Sequence, residues 1–261
     1  MRILITNDDG IDAPGIKIME AVANEIAGAA GEVWVVAPSF ERSGVGHCVS
    51  YTNPARIAER GPRRFEVEGF PADCVLAGIY DVLGGAQPDL ILSGVNRGNN
   101  SAENTLYSGT IGAAMEGALQ GCKAIALSQF YGPANNAIEN PFDAAAQTGA
   151  QVIRDILAAD SWGADPYPIF YNVNFPPVPA AQVKGTRVVA QGRRPGVRFS
   201  ANPHEAPNGR KYLWIGGGAQ AVESGPDTDC TVNIAGYTSV TPMRCDLTAH
   251  DALDALKATL G

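Results

Sequence analysis

Cysteine is scarce and unpatterned in this chain of 261 residues: Cys48, Cys74, Cys122, Cys230 and Cys245 are odd in number, widely spread and never spaced Cys-x-x-Cys. That pattern favours reduced thiols in the cytosol over a disulfide framework or a cysteine-held zinc. Histidine is scarcer still, three scattered residues, so a His-rich metal shell is excluded too. Basic residues are in the minority, 19 Lys and Arg against 27 Asp and Glu, and a net charge of -8 argues against a nucleic-acid duplex as partner. An anionic substrate must therefore be met locally. No apolar stretch nears the length of a membrane span, because Ile3-Leu4-Ile5 stops at Asn7. The expectation is a cytoplasmic protein with no membrane partner. Gly-x-Gly-x-x-Gly does not follow the first strand, which speaks against a dinucleotide-binding subunit.

What is present is a strong alternation of strands and helices. The strand Arg2 to Thr6 is followed by Asp12 and Pro14 as a helix-start signal, and Ile16, Met19, Val22, Ala23 and Ile26 keep helical spacing up to Gly28. A second buried strand, Val33 to Ala37, completes a βαβ unit, which implies a parallel sheet with right-handed crossovers. Further strands are expected at Asp89–Gly94, Ala124–Ser128 and Pro168–Pro176, and further helices from Pro71, from Ile111 and over Phe142–Ala159. Residues 51 to 69, Pro-interrupted, give no firm pattern. The reading is a Rossmann-like, doubly wound α/β core over residues 1–180. Beyond it, over 181–261, short β-like runs such as Thr186–Ala190 and Lys211–Gly216 lie between Gly-, Pro- and Asn-rich loops, and a helix ends the chain. Such hairpins bury little of their own apolar surface, so they are expected to pack on the core or on a second subunit.

The unusual polar residues follow strand ends: Asn7-Asp8-Asp9-Gly10, then Ser39 to Gly44, then Ser93-Gly94-Val95-Asn96-Arg97-Gly98. In a parallel sheet these ends share one edge, where ligands bind. Asn-Asp-Asp-Gly alone is also ordinary turn chemistry. Convergence of several loops is what favours a site, because an isolated turn needs no such agreement. Two adjacent carboxylates there require a cation, and with hydroxyl and amide oxygens nearby a hard divalent ion such as Mg²⁺ or Mn²⁺ fits best. Ser108-Gly109-Thr110 opens an amphipathic helix at the same edge, where free N–H groups and the dipole favour a phosphate; the plain alternative is N-capping by a hydroxyl. Metal beside phosphate cradle suggests phosphate-ester hydrolysis. Asp8 and Asp9 are the candidate catalytic residues, and Asn7, Gly44, Asn96, Ser108, Gly109 and Thr110 the candidate substrate-binding set. His47 lies near the second loop, where a lone histidine is more simply solvated; His204 and His250 are read as structural.

Several motifs in order, Asn7–Gly10 with Ala13–Ile16, Arg42-Ser43-Gly44, Pro71–Val75, Ser93–Asn96, Tyr107–Thr110 with Ala113–Gly117, Asn172–Asn174, Thr228-Asp229 and Ser239–Pro242, resemble the stationary-phase survival protein E (SurE) family. The resemblance implies a metal-dependent 5'-nucleotidase acting on nucleoside monophosphates, in some members also on 3'-nucleotides or polyphosphate. It implies one divalent ion per subunit held by Asp8, Asp9, Ser43 and Asn96; spacing alone does not choose Ser43 over Ser39. It also implies a dimer or tetramer in which the C-terminal arm and helix are exchanged. Two departures stand at the pocket rim: Phe70 where relatives commonly have Thr, and Ser101–Thr105 where they commonly have acidic residues. A rival is a phosphoacceptor signalling module with an acidic metal pocket, but that module needs an Asp after its third strand, and here Ser93–Asn96 stands there. A haloacid-dehalogenase-type site needs its two aspartates two residues apart, and Gly10 occupies the second position.

Overall fold

The computed structural model describes residues 1–163 and 166–261. Its main sheet has nine strands: β1 (Arg2–Thr6), β2 (Glu32–Pro38), β3 (Ile57–Gly61), β4 (Arg64–Val67), β5 (Leu90–Arg97), β6 (Ala124–Gln129), β7 (Phe170–Phe175), β8 (Thr186–Val188) and, last in sequence, β11 (Thr238–Met243). Spatial order is β3-β4-β2-β1-β5-β6-β7-β11-β8. β4, β2, β1, β5, β6 and β7 are mutually parallel, while β3 and β11 run antiparallel to β4 and β7. Ile3, Leu4 and Ile5 are fully buried, as a continuous apolar run in a sheet covered on both faces must be.

Among the described residues seven α-helices accompany the strands: α1 (Pro14–Ala27), α2 (Pro71–Ala77), α3 (Gly109–Leu119), α4 (Pro133–Asn136, one turn), α5 (Asp143–Ala159), α6 (Asp229–Ile234) and α7 (Leu253–Leu260). α1 and α5 cover one face with Ile16, Met19, Val22, Val152 and Ile153; α2 and α3 cover the other with Cys74, Val75, Ile111 and Ala114. Pro14 starts α1 as the sequence suggests, but the cap position is Ala13 and Asp12 does not cap it. Tight helix-to-sheet contact relies on glycine: a Cβ on Gly15 would stand 1.9 Å from the Val95 carbonyl oxygen.

The stretch 185–245, read from sequence as hairpins, contains one hairpin, β9 (Ser200–Glu205) with β10 (Lys211–Gly216), apart from the main sheet. The rest supplies β8, α6 and β11, and β11 extends the sheet beyond β7. The sheet therefore draws on residues from both sides of position 180. Tyr212, Leu213, Trp214 and Ile215 on the hairpin are exposed, and α7 buries no residue. All five cysteines are unpaired.

β1 lies between β2 and β5, and the crossovers run outward from it in opposite directions. This is the point where the strand order reverses and loops at the carboxyl edge part to leave a crevice.

Candidate metal and phosphate site

The chain leaves β1 into that crevice through a tight turn. The Asn7 Nδ2 donates to the Gly10 carbonyl at 2.8 Å and its Oδ1 accepts from the Gly10 N–H at 3.2 Å, with Gly10 at φ 103°. Asn7 is fully buried and both ends of its amide are spent on the turn. It shapes the turn. What the turn presents is Asp8 and Asp9.

Asp8 is 4% exposed, and its Oδ1 accepts the Thr110 hydroxyl at 2.5 Å. Burial pushes its carboxyl up to about 6; the Thr110 bond opposes the rise and the charge of Asp9 adds to it. Asp9 is less deeply set. Its Oδ2 accepts the Arg97 N–H at 3.0 Å. Burial raises its pKa also, against the Arg97 bond and charge, with Glu41 adding to the rise. Arg97 thus offsets part of the charge of Asp9, and among the described residues no base does so for Asp8. Two carboxylates held close in a low-dielectric setting favour a bound cation.

The second loop is tied down directly over Asp8, whose carbonyl oxygen accepts the Arg42 N–H at 2.6 Å. Ser43 follows, its hydroxyl donating to Glu41 Oε1 at 2.8 Å, so the oxygen lone pairs remain available. Gly44 turns the loop at φ 73° with no atom within 4 Å of where a Cβ would stand. The third loop leaves β5 through an irregularity between Ser93 and Asn96, where a Cβ on Gly94 would stand 2.2 Å from the Leu127 carbonyl oxygen. Asn96 donates its Nδ2 to the Gly98 carbonyl at 2.9 Å, which leaves its Oδ1 as a ligand oxygen. Among the described residues no three His, Cys, Asp or Glu side chains gather as a metal group. A cation at Asp8 and Asp9 would complete its shell with hydroxyl and amide oxygens, and Ser43 and Asn96 have those to offer. This donor set is all oxygen and fits a hard divalent ion.

The start of α3 closes the crevice. Gly109 is in close contact with Asp8: an added Cβ would lie 2.9 Å from the Asp8 Cβ and 3.0 Å from both Pro71 and Val45. Ser108 caps the helix by accepting the Ile111 N–H at 3.1 Å, so the capping reading of this residue is correct as far as its acceptor goes, while its proton remains free to donate. Thr110 is fully buried, and both its hydroxyl and its N–H serve Asp8. It holds the carboxylate. Gly109 N–H and the Ser108 hydroxyl are the donors left at this helix end.

Sequence reasoning passed over three contributors. Glu41 and the Arg97 N–H lie between residues it did name, but what they contact depends on how loops fold back. Arg194 is the third: its fully buried guanidinium bonds Glu103 at 2.9 Å, Asn99 at 2.7 Å and Ser101 at 2.9 Å, fixing the loop that leads from β5 to α3. Asp229, in the Thr228-Asp229 motif, anchors the same loop by accepting the Ala102 N–H at 2.9 Å. His47 Nε2 is 2.6 Å from Glu116 Oε2, so it joins the second loop to α3 and is not merely solvated. His204 lies on the exposed β9, and His250 pairs with Asp246 at 2.5 Å away from the crevice.

The family model described as survival protein SurE matches residues 3–197. The chain belongs to the SurE family. A protein of Ruegeria pomeroyi named 5'-nucleotidase SurE is 64% identical over the whole of both chains, and one of the same name from Jannaschia is 65% identical over 98% of each. Among solved structures, the SurE protein from Aquifex aeolicus superposes with a TM-score of 0.80 at 33% identity, covering 99% of both chains. The SurE motifs singled out in the sequence, Asn7–Gly10, Arg42–Gly44, Ser93–Asn96 and Tyr107–Thr110, are the segments that meet at the β1/β5 crevice.

Proposed function

We propose that this SurE protein is a metal-dependent phosphohydrolase of nucleoside monophosphates, a 5'-nucleotidase by substrate, with Mg²⁺ or Mn²⁺ as the ion. The observation that carries the reading is the single point of convergence: paired carboxylates at the sheet's switch point, one of which, Asp8, is held at 2.5 Å by Thr110 in the first turn of α3. The names carried by the 64% and 65% identical relatives give the substrate class.

Asp8, Asp9, Ser43 and Asn96 are the residues that would hold one divalent ion. When bound, the ion supplies charge neutralisation for phosphate oxygens and a more acidic water. Ser108 and Gly109 receive the remaining phosphate oxygens by hydroxyl and N–H donation, and Gly44 leaves the approach clear. Asp8 is nearly buried and its Oδ1 is committed to Thr110, so its other oxygen is the one that would reach the ion. Asp9, with its second oxygen unbonded among the described residues and more open to solvent, orients the attacking water and accepts its proton. Thr110→Val tests the grip on Asp8: divalent-ion affinity, read by Mn²⁺ calorimetry, is expected to fall by roughly 10- to 100-fold, the size found for residues that orient ligands.

The protein is cytoplasmic in this reading, consistent with five free thiols, and no helix among the described residues is long and apolar enough to cross a membrane. The exposed Tyr212 to Ile215 face and the unburied α7 are covered in a homo-oligomer, dimer or tetramer, by exchange of the arm. Trp214→Glu is expected to lower the mass measured by sedimentation; an unchanged monomeric mass for wild type and variant would remove the arm from this role. Phosphate release from 5'- and 3'-mononucleotides and polyphosphate, with each metal and with EDTA, tests the activity itself.

A further inference from the structure

The loop that carries Ser43 is not fixed by its own backbone. Two left-handed glycines follow the serine, Gly44 at φ 73° and Gly46 at φ 56°. Such a segment has many conformations open to it, so the place of the Ser43 hydroxyl must be imposed from outside. On the leading side the Arg42 N–H does this by donating to the Asp8 carbonyl at 2.6 Å. On the trailing side the loop is pressed along one face of α3. The Gly46 N–H donates to the Tyr107 carbonyl at 2.9 Å. An added Cβ on Gly109 would stand 3.0 Å from Val45, and one on Gly112 would stand 2.4 Å from the Gly46 carbonyl oxygen and 2.9 Å from the His47 Cα. Glu116 is the next residue on that face, one helical turn beyond Gly112. Its Oε2 lies 2.6 Å from His47 Nε2, and its Oε1 accepts the Gln120 Nε2 at 2.7 Å. Gln120 in turn accepts the Tyr80 hydroxyl at 2.7 Å. Glu116 is buried, and the His47 bond is the chief cause holding its carboxyl below the usual range. The carboxylate is therefore ionised at neutral pH and can only accept, which puts the shared proton on His47 Nε2.

From these contacts we propose that His47 and Glu116 form a clasp that positions Ser43 for the divalent ion. The inference rests on the reading of Ser43 as an ion ligand. His47 is a positioning residue and Glu116 its anchor on α3; neither is among the residues assigned to the ion. The clasp closes the trailing end of the loop onto the helix, so the Ser43 oxygen is already held in the crevice before an ion arrives. Ordering the loop beforehand removes that entropic cost from binding.

The test is Mn²⁺ calorimetry on variants of the full chain, with circular dichroism melts in EDTA to report the fold. His47→Ala is expected to weaken Mn²⁺ binding about tenfold, within the range found for groups that orient metal ligands. His47→Gln, whose side-chain amide can donate to the same carboxylate, should return the affinity to within about twofold of wild type. The loss should also pass through Ser43: in a Ser43→Ala background, itself weaker than wild type, His47→Ala adds less than about a twofold change. A general structural role would instead weaken binding equally in both backgrounds and lower the metal-free melting temperature. That result would overturn the proposal, as would unchanged Mn²⁺ affinity in His47→Ala or no rescue by His47→Gln. Wild-type affinity in Ser43→Ala would strike the ligand assignment and the clasp together. If His47→Ala weakens binding only when Ser43 is present but no substrate releases phosphate, the clasp stands and the hydrolase reading fails.

Discussion

Asp8→Asn is expected to lower phosphate release by at least about a hundredfold while leaving the fold in place. Asparagine keeps the shape of the side chain and an oxygen to accept the Thr110 hydroxyl, now held at 2.5 Å, so α3 stays seated. What it removes is a buried negative charge. The sign of the stability change follows from burial, which raises the folded pKa of Asp8 to about 6, above its ordinary value of 3.8. Such a group favours the folded state while protonated, and the advantage is lost as pH rises through about 6. In EDTA at pH 7 the asparagine variant is therefore at least as stable as wild type, whereas with Mn²⁺ only wild type gains further stability. Circular dichroism melts with and without metal check both halves. Asp9→Asn should lose comparable activity, with less change in the metal-free melt, because Asp9 is nearer solvent.

Gly15→Ala is expected to have the largest effect on stability. The added Cβ would fall 1.9 Å from the Val95 carbonyl oxygen, which is backbone at the end of a buried central strand and has no rotamer through which to withdraw. Overpacking of this kind costs about 3 kcal/mol or more when backbone must move. The movement is passed to the site, since Val95 immediately precedes Asn96. Urea unfolding should show the midpoint falling sharply, and any soluble fraction should bind Mn²⁺ more weakly than wild type. A variant with wild-type stability would mean that α1 and β5 are held apart more loosely than their contact indicates.

Much of this was legible in the sequence, for local reasons. Ile3-Leu4-Ile5 ends where Asn7 and Gly10 make a turn, and strand-end loops declare themselves by abrupt polarity after an apolar run. Because parallel strands send those ends to one edge, Asp8, Ser43 and Asn96 could be brought together on paper. The motif resemblance then selected Ser43 over Ser39. What was not legible depends on contacts between distant segments. β3, at the sheet's edge, and β4 beside it are short strands with charged residues, Glu59, Arg60, Arg64 and Glu66, and little periodicity. β11 follows β7 by more than 60 positions and pairs with it antiparallel, Val240 opposite Val173, which no local pattern announces. Thr110 looked like a phosphate ligand by its place at a helix start. Its hydroxyl in fact faces Asp8, a carboxylate 102 positions away. The fully buried Arg194 is the clearest case, a charged residue in a Gly- and Pro-rich stretch whose partners Glu103, Asn99 and Ser101 come from before α3.

The central claim is that Asp8, Asp9, Ser43 and Asn96 hold the ion on which hydrolysis depends. The most direct measurement is phosphate release from adenosine 5'-monophosphate by the metal-stripped protein, titrated with Mn²⁺ and Mg²⁺, alongside Mn²⁺ binding followed by calorimetry. The account predicts no turnover in EDTA, recovery that follows occupancy of one site per chain, and loss of both binding and turnover in Asp8→Asn. Turnover that persists in EDTA, or full Mn²⁺ binding in Asp8→Asn, would contradict it.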